Sequence, residues 1–158
     1  MKKSSTVKLV LATTVLSLTS SLALAQSPTW SAEQTEVWGV VVQSWVDDTA
    51  QNKKWPAEYV VDNVLSWNGA YPSPRNKDSL IKWSRFGDSQ SKTLMYENTP
   101  VGIAIHGDTA VVMYTHVSVS QRGKDKPSRD MSSTTETLVR TDDGWKFISL
   151  TGFDTSPK

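Results

Sequence analysis

The feature that most constrains the fold is a pair of β-hairpin patterns in the C-terminal third of the sequence, between residues 99 and 153. In the first, the β-rich segments 99–105 and 109–119 flank a Gly-Asp pair, which is typical of a tight hairpin turn. In the second, residues 132–141 and 145–150 flank an Asp-Asp-Gly turn. Long antiparallel strands of this kind need a cover on one face, and we expect amphipathic helices from the N-terminal half to provide it.

Turn length decides which side chains of the first hairpin share a face, because a shift of one residue moves every side chain to the opposite side. If the Gly-Asp pair is a two-residue loop, Val101 opposes Tyr114, and Tyr114 and His116 lie on the face that carries the apolar side chains. A three-residue loop reverses this assignment. We favour the two-residue loop because Gly-Asp suits a tight turn.

The second hairpin places a carboxyl group among aliphatic side chains. With a three-residue Asp-Asp-Gly loop, Glu136 lies beside Ile148 and Leu150. Burial of this kind raises the pKa of a carboxyl group, which can then act as a general acid or base near neutral pH. His116 is its natural partner, because an imidazole titrates in the same range. The other interpretation is a pair at the rim of the sheet, or one hydrogen-bonded to structural neighbours.

The N-terminal half contains three helical patterns, at residues 30–50, 56–62 and 77–86. Apolar side chains of the first recur at helical spacing and form one stripe toward the sheet: Trp38, Val41, Val42 and Trp45. For its two tryptophans, core packing and ligand contact are both open interpretations. Asn76 and Gly87 are typical of the start and the end of the third helix.

The first 25 residues have the pattern of a secretory signal peptide. A basic start is followed by a mostly apolar or small-residue stretch and by an Ala23-Leu24-Ala25 cleavage site. The stretch is too short and too rich in Ser and Thr to act as a stable membrane anchor. The sequence therefore predicts a signal peptide at 1–25, a mature domain at 26–158, and a periplasmic or secreted location.

Composition narrows the function classes. Three of the 17 basic residues lie in the expected signal peptide, which leaves 14 against 16 acidic residues and a net charge of −2. A weakly acidic domain lacks the general attraction to phosphate that nucleic-acid binding requires. The absence of cysteine excludes disulfides and a lipoprotein anchor, and two distant histidines argue against a zinc site, so neither a metal nor a cofactor is expected. The 133 residues of the mature part suit one domain.

The order of these elements resembles the nuclear transport factor 2-like superfamily, in particular its SnoaL-like and ketosteroid-isomerase-like branches. Four segments carry the resemblance: residues 38–48, 67–72, 107–112 and 139–146. The resemblance implies an α+β fold, in which a cone-shaped, curved antiparallel sheet is covered by three N-terminal helices to form a cystatin-like α+β barrel. It also implies a pocket between helices and sheet, and it is often accompanied by dimerisation through the outer sheet face.

Many similar members carry a histidine in the last strand after the tryptophan, where this chain has Ser149-Leu150-Thr151-Gly152. Because this histidine is missing and aromatic residues are abundant, our first hypothesis is an exported module that binds a small, largely apolar or aromatic molecule without catalysis. The side chains expected to line its pocket are Trp45, Trp67, Tyr71 and Tyr114.

Two further hypotheses belong to other classes. The second is a cofactor-independent isomerase, dehydratase or hydrolase in which His116 and Glu136 act as an acid–base pair. It requires both side chains to converge inside the cone. The third is a homodimer or partner-binding module in which exposed aromatic residues on the outer face of the sheet form an interface. The fold alone does not choose between them.

Overall fold

The computed structural model describes residues 29–68 and 71–156, so the expected signal peptide at 1–25 lies outside the described residues. Within this part, two helices pack with a five-stranded sheet. In chain order the elements are α1 (Ala32–Thr49), β1 (Val60–Ser66), α2 (Lys77–Gln90), β2 (Ser91–His106), β3 (Thr109–Arg122), β4 (Ser128–Thr141) and β5 (Gly144–Asp154).

The sheet is mixed, with the strand order β1-β5-β4-β3-β2. Strands β2 to β5 form the predicted antiparallel meander, whereas β1 pairs with β5 in parallel. Helix α1 contacts both β2, at one edge, and β5, near the other. Because one helix reaches strands so far apart in the sheet, the sheet curves around it. The predicted α+β architecture is confirmed.

Helix α1 begins with a capping box. The Ser31 side chain accepts a hydrogen bond from the Gln34 backbone N–H at 3.1 Å, and the Gln34 side chain accepts one from the Ser31 N–H at 2.9 Å. These two bonds satisfy backbone donors that a helix start would leave unpaired.

The buried face of α1 is rotated from the predicted stripe. Val37, Val41 and Ser44 are its buried side chains near the sheet, while Trp38 and Trp45 flank them and remain half-buried. Val42, which was expected to face inward, is exposed. Bulky indole rings reach the core from the sides of the helix, so the positions directly beneath it take small side chains.

The short helix predicted at 56–62 is absent. Residues 55–59 form a turn and β1 begins at Val60, so the described chain contains two helices rather than three. Val60 and Val64 are buried, and the Phe147 backbone N–H donates to the Tyr59 carbonyl at 2.9 Å. Pairing with β5 and the β-branched valines outweigh the helical pattern. The other difference is that α2 continues past Gly87 to Gln90.

The first hairpin has the predicted two-residue loop, with His106 opposite Thr109. The prediction that Val101 opposes Tyr114 is wrong, because a β-bulge places Pro100 opposite Tyr114. Val101 is the extra residue and is 66% exposed. Proline cannot donate a hydrogen bond to the ladder, and such positions favour a bulge.

The second hairpin has a two-residue loop instead of the expected three, so Thr141 pairs with Gly144. A bulge then shifts the register between Thr137 and Leu138 of β4 and their partners on β5. The two changes offset each other, and Glu136 lies opposite Leu150 and is buried. The predicted burial of Glu136 is therefore confirmed, although the loop length was wrong.

The end of the sheet nearest the two hairpin turns is filled by a solid core. Its fully buried apolar side chains come from α1, β1 and three strands of the meander: Val37, Val41, Val64, Ala110, Val112, Leu138 and Phe147. The remaining concave surface, toward the other ends of β3, β4 and β5, carries the polar groups.

Candidate functional site

The inward side chains of β3 change from apolar to polar along the strand. Val112 belongs to the core, and Tyr114 and His116 follow at every second position on the same face. Glu136 of β4 lies opposite Val112 of β3 and is only 6% exposed. The predicted face for all three polar side chains is confirmed, and it is the concave one.

Trp45, Tyr114 and Glu136 form a buried hydrogen-bond chain. The Trp45 Nε1–H donates to the Tyr114 hydroxyl at 2.9 Å, and the Tyr114 O–H donates to Glu136 Oε1 at 3.0 Å. Glu136 Oε2 has no hydrogen-bond partner among the described residues. One oxygen of the Glu136 carboxyl group is therefore held by a hydrogen bond, and the other has no partner among the described residues.

The surroundings of this hydrogen-bond chain favour the protonated forms of Tyr114 and Glu136. Burial raises the pKa of Glu136 to about 8, although the hydrogen bond from Tyr114 acts in the opposite direction. Burial, together with the nearby Glu136, also raises the pKa of Tyr114. Glu136 is therefore mostly a neutral carboxylic acid at neutral pH, as a general acid or a hydrogen-bond donor would be.

His116 lies in a different environment. Its ring stacks on the Trp45 indole, with centroids 3.9 Å apart and planes at 18°. Its Nδ1 lies 2.6 Å from Asn98 Oδ1, so Nδ1–H donates to Asn98 and Nε2 is left as an acceptor. Burial lowers the pKa of His116 to about 4, with Asp130 opposing the shift. The ring is neutral at neutral pH and is a weak base.

His116 and Glu136 both face the concave side, but the structure does not bring them together. Glu136 pairs across the sheet with Val112, and His116 pairs with Ser132. Their positions are four residues apart along β3, or about 13 Å. Each side chain has a different hydrogen-bond partner. The direct acid–base contact that the sequence suggested is absent.

Of the four predicted pocket aromatics, two lie inside and two outside. Trp45 and Tyr114 are hydrogen-bonded to each other on the concave side. Trp67 is 52% exposed and donates its Nε1–H to the Tyr71 carbonyl at 2.8 Å. The Tyr71 ring lies 3.4 Å from the Arg75 guanidinium carbon, in a separate surface cluster. The four residues do not line one pocket.

Two of the spaces in the described part of the chain border the polar side chains of the concave side. The larger, which we call the mouth recess, has a volume of about 510 Å³ and lies at the ends of β3, β4 and β5 away from the hairpin turns. It is lined by Asn68, His116, Asp130, Met131, Ser132, Gly152, Phe153 and Asp154. The smaller, the inner cavity, has a volume of about 40 Å³ and is lined by Ser44, Trp45, Asp48, Trp55 and Glu136.

Sequence reasoning missed several residues that line these spaces or contact their lining. Asn98 becomes recognisable only from the strand register, which places it opposite His116. Asp48 lies in the last turn of α1, and Trp55 precedes β1.

Across residues 29–68 and 71–156, no group of three or more His, Asp or Glu side chains is arranged to hold a metal ion. In the same part of the chain, no helix is long and apolar enough to cross a membrane.

A curved, mixed sheet wrapped around one long helix, with polar side chains on its concave side, defines the nuclear transport factor 2-like class. The SnoaL-like domain family matches residues 57–152, which is more than half of the chain. The chain therefore belongs to the SnoaL-like family. A search of curated proteins gave no match.

Solved structures share this fold at low sequence identity. A ketosteroid isomerase-like protein from Erwinia carotovora atroseptica has a TM-score of 0.70 and 11% identity, covering 81% of this chain and 100% of that one. A protein described provisionally as a scytalone dehydratase, from Novosphingobium aromaticivorans, has a TM-score of 0.70 and 13% identity, covering 78% and 85%. An NTF2-like protein from Rhodospirillum rubrum has a TM-score of 0.65 and 14% identity, covering 76% and 98%. At such identities the likeness concerns the fold.

Proposed function

We propose that this protein is an exported SnoaL-like domain that binds a small molecule in the mouth recess without catalysing its conversion. The observation that carries this proposal is the recess itself, whose volume of about 510 Å³ falls in the range typical of small-molecule sites. Export is supported by the basic start and the Ala23-Leu24-Ala25 site of the leader.

The lining of the recess indicates a ligand with an apolar body and hydrogen-bond donors. The rim of the recess includes the apolar residues Met131 and Phe153, whose side chains alternate with the inward ones of β4 and β5, and Phe153 is 60% exposed. Asp130, Ser132 and the Nε2 of His116 supply acceptors. The sequence led us to expect a largely apolar ligand. The proposed ligand is therefore more polar than that expectation.

The properties of His116 support ligand binding rather than catalysis in this recess. A base with a pKa of about 4 removes protons weakly at neutral pH, and its other nitrogen is held by Asn98. A neutral imidazole stacked on an indole is nevertheless a rigid acceptor for a ligand O–H or N–H. Rigid, prepositioned groups of this kind improve affinity because little freedom is lost on binding.

A pair of neighbouring substitutions tests the recess. Ser132→Trp should fill it and abolish binding, because Ser132 lines the recess, whereas Ser133→Trp places the same side chain on the opposite face of β4. Native mass spectrometry and isothermal titration against a library of small amphipathic molecules provide the measurement. Absence of any ligand, or equal binding by both variants, would count against the proposal.

The second candidate is an enzyme that uses Glu136 as an acid. It is favoured by a buried carboxylic acid with a pKa of about 8 next to a tyrosine hydroxyl. Structures described as ketosteroid isomerase-like and, provisionally, as a scytalone dehydratase share the fold. Turnover that is lost in Glu136→Gln would select this candidate, whereas ligand binding without any turnover by the parent protein would select the binding module.

The outer sheet face supports a homodimer as the proposed assembly. The outward side chains of its central part carry no charge: Val111, Met113, Thr115 and Val117 of β3, Ser133, Thr135 and Thr137 of β4, and Ser149 and Thr151 of β5. An uncharged face suits an interface core, from which charged residues are depleted.

One arginine should break the proposed dimer. Thr135→Arg places an unpaired charge at the centre of the interface and should shift the protein to monomer, as measured by light scattering after size exclusion. Thr155→Arg, which introduces the same side chain at an exposed position beyond β5, is the matched control. A parent protein that is already monomeric at micromolar concentration would contradict the assembly.

A further inference from the structure

The inner cavity is a polar space in a part of the fold that is otherwise packed. Helix α1 contributes Ser44, Trp45 and Asp48, the turn before β1 contributes Trp55, and β4 contributes Glu136. About 10–15 Å³ is enough for one water molecule, so a cavity of about 40 Å³ also admits a small ion. The cavity and the mouth recess share none of their lining residues.

The carboxyl group of Glu136 indicates which kind of group the cavity can bind. The residue is 6% exposed, and its Oε2 has no hydrogen-bond partner among the described residues, while Oε1 accepts from Tyr114. Leaving a buried carboxyl oxygen unpaired is unfavourable, and such groups are normally satisfied. Because Glu136 lines the cavity, a group bound there can supply the missing partner.

The surrounding charges make the cavity attractive to a cation. Helix α1 ends next to it, and its last turn carries Asp47 and Asp48 with no basic side chain. The partial negative charge of a helix C-terminus adds to these carboxyl groups. Asp47 is already hydrogen-bonded by Asn52 and Tyr59. Asp48 is left to act on the cavity.

We propose that the inner cavity binds a small ammonium group between the carboxyl groups of Glu136 and Asp48. Ser44 adds an acceptor, because its hydroxyl donates to the Val41 carbonyl and keeps its lone pairs. The rings of Trp45 and Trp55 form aromatic walls, which accommodate a cation better than aliphatic walls. The ligand is either a free ammonium or methylammonium ion or the terminal amino group of a longer amine.

Proton release should accompany binding. Burial holds the pKa of Glu136 at about 8 and, with Asp88 adding to the effect, that of Asp48 at about 6, although Arg85 lowers the latter. At pH 7 Glu136 is therefore mostly protonated and Asp48 mostly ionised. Among the surrounding groups, Tyr114 also faces Glu136 and stays neutral. A cation beside Oε2 favours the carboxylate, so binding expels the proton of Glu136 to solvent.

Isothermal titration with methylammonium chloride at pH 7, in two buffers of different ionisation heat, measures both binding and proton release. We expect the heats to differ between the buffers. Glu136→Gln should weaken binding about tenfold or more, as loss of a hydrogen bond to a charged group does, and should abolish the difference between buffers. Asp48→Asn should weaken binding as well. Glu97→Gln, the same change at an exposed position of β2, should leave both unchanged.

Three further arms complete the test. Binding of n-butylammonium as well as methylammonium would assign the cavity to the end of a longer amine, and binding of methylammonium alone to a free ion. Equal binding of tetramethylammonium, which is too large for the cavity, would overturn the proposal, as would no binding of methylammonium. Ser132→Trp should leave methylammonium binding intact, so failure of the recess proposal and failure of this one give different results.

Discussion

Glu136→Gln should flatten the pH dependence of the free energy of unfolding between about pH 6.5 and pH 8. The folded protein keeps a proton on Glu136 up to a pKa of about 8, whereas the unfolded chain loses it near the ordinary value of 4.5. A raised carboxyl pKa gives stability that is complete at low pH and is lost as the pH rises. The parent protein should therefore lose roughly 1–2 kcal/mol across this range. Urea unfolding at several pH values measures the loss.

The range is chosen because His116 and Asp48, whose pKa values are also shifted, change protonation mainly at more acidic pH. The pKa of His116 falls from 6.5 to about 4, so its contribution to stability is lost as the pH falls from 6.5 toward 4. The pKa of Asp48 rises to about 6, which gives a contribution of opposite sign over nearly the same acidic range. Above pH 6.5, Glu136 has the largest expected change in protonation on unfolding among the described groups with acidic to neutral pKa values.

Glu97→Gln is the control for this measurement, because Glu97 is exposed on β2 and the substitution likewise replaces a carboxyl group by an amide. Its pH profile should follow that of the parent protein. If Glu136→Gln kept the decline between pH 6.5 and 8, another group would be responsible. The assignment of a protonated Glu136 would then be wrong, and the acid role in the second candidate function would lose its basis.

The sequence predicted the meander and the concave face well because both depend on local signals. A Gly-Asp pair determines a two-residue loop, and that loop fixes the face of Tyr114 and His116 along an uninterrupted strand β3. The register of β2 could not be read in the same way. The bulge at Val101 adds one residue without changing the alternating pattern on either side.

The failed helix at 56–62 shows the limit of local propensity. The segment contains Val60 and Val61, whose β-branched side chains suit a strand, but the decisive partner is β5, more than 80 residues later in the chain. A parallel pairing of this kind leaves no turn signal in the sequence. The same holds for Trp67 and Tyr71, whose distance from Tyr114 depends on where β1 ends.

The sequence indicated individual residues of the candidate site but not the contacts between them. Glu136 and His116 were recognisable as polar side chains at inward positions of strands. The insertion of Trp45 beside them depends on how α1 lies across the sheet, because it joins residues 69 positions apart. The register of β3 and β4 separates the two groups that the sequence suggested as a pair, and the insertion of Trp45 completes the hydrogen-bond chain through Tyr114 to Glu136.

Phe147→Ala should destabilise the protein by about 3–5 kcal/mol, the cost of removing a buried aromatic side chain from a packed core. Phe147 is 0% exposed and lies opposite Leu138, and its ring meets that of Trp55 edge to face at 5.7 Å. A core that is solid at this end cannot collapse easily around the missing ring, so the cost should lie near the top of the range. Urea unfolding at fixed pH measures it.

Phe153→Ala is the matched control on the same strand. Phe153 is exposed and borders the mouth recess, so its removal should change stability by less than about 0.5 kcal/mol while weakening a ligand bound there. The two variants thus separate the solid end of the sheet from the open end. Equal losses of stability would mean that apolar packing extends across the recess, which would then be closed to a ligand. A small loss for Phe147→Ala would instead mean that the end near the hairpin turns is loosely packed.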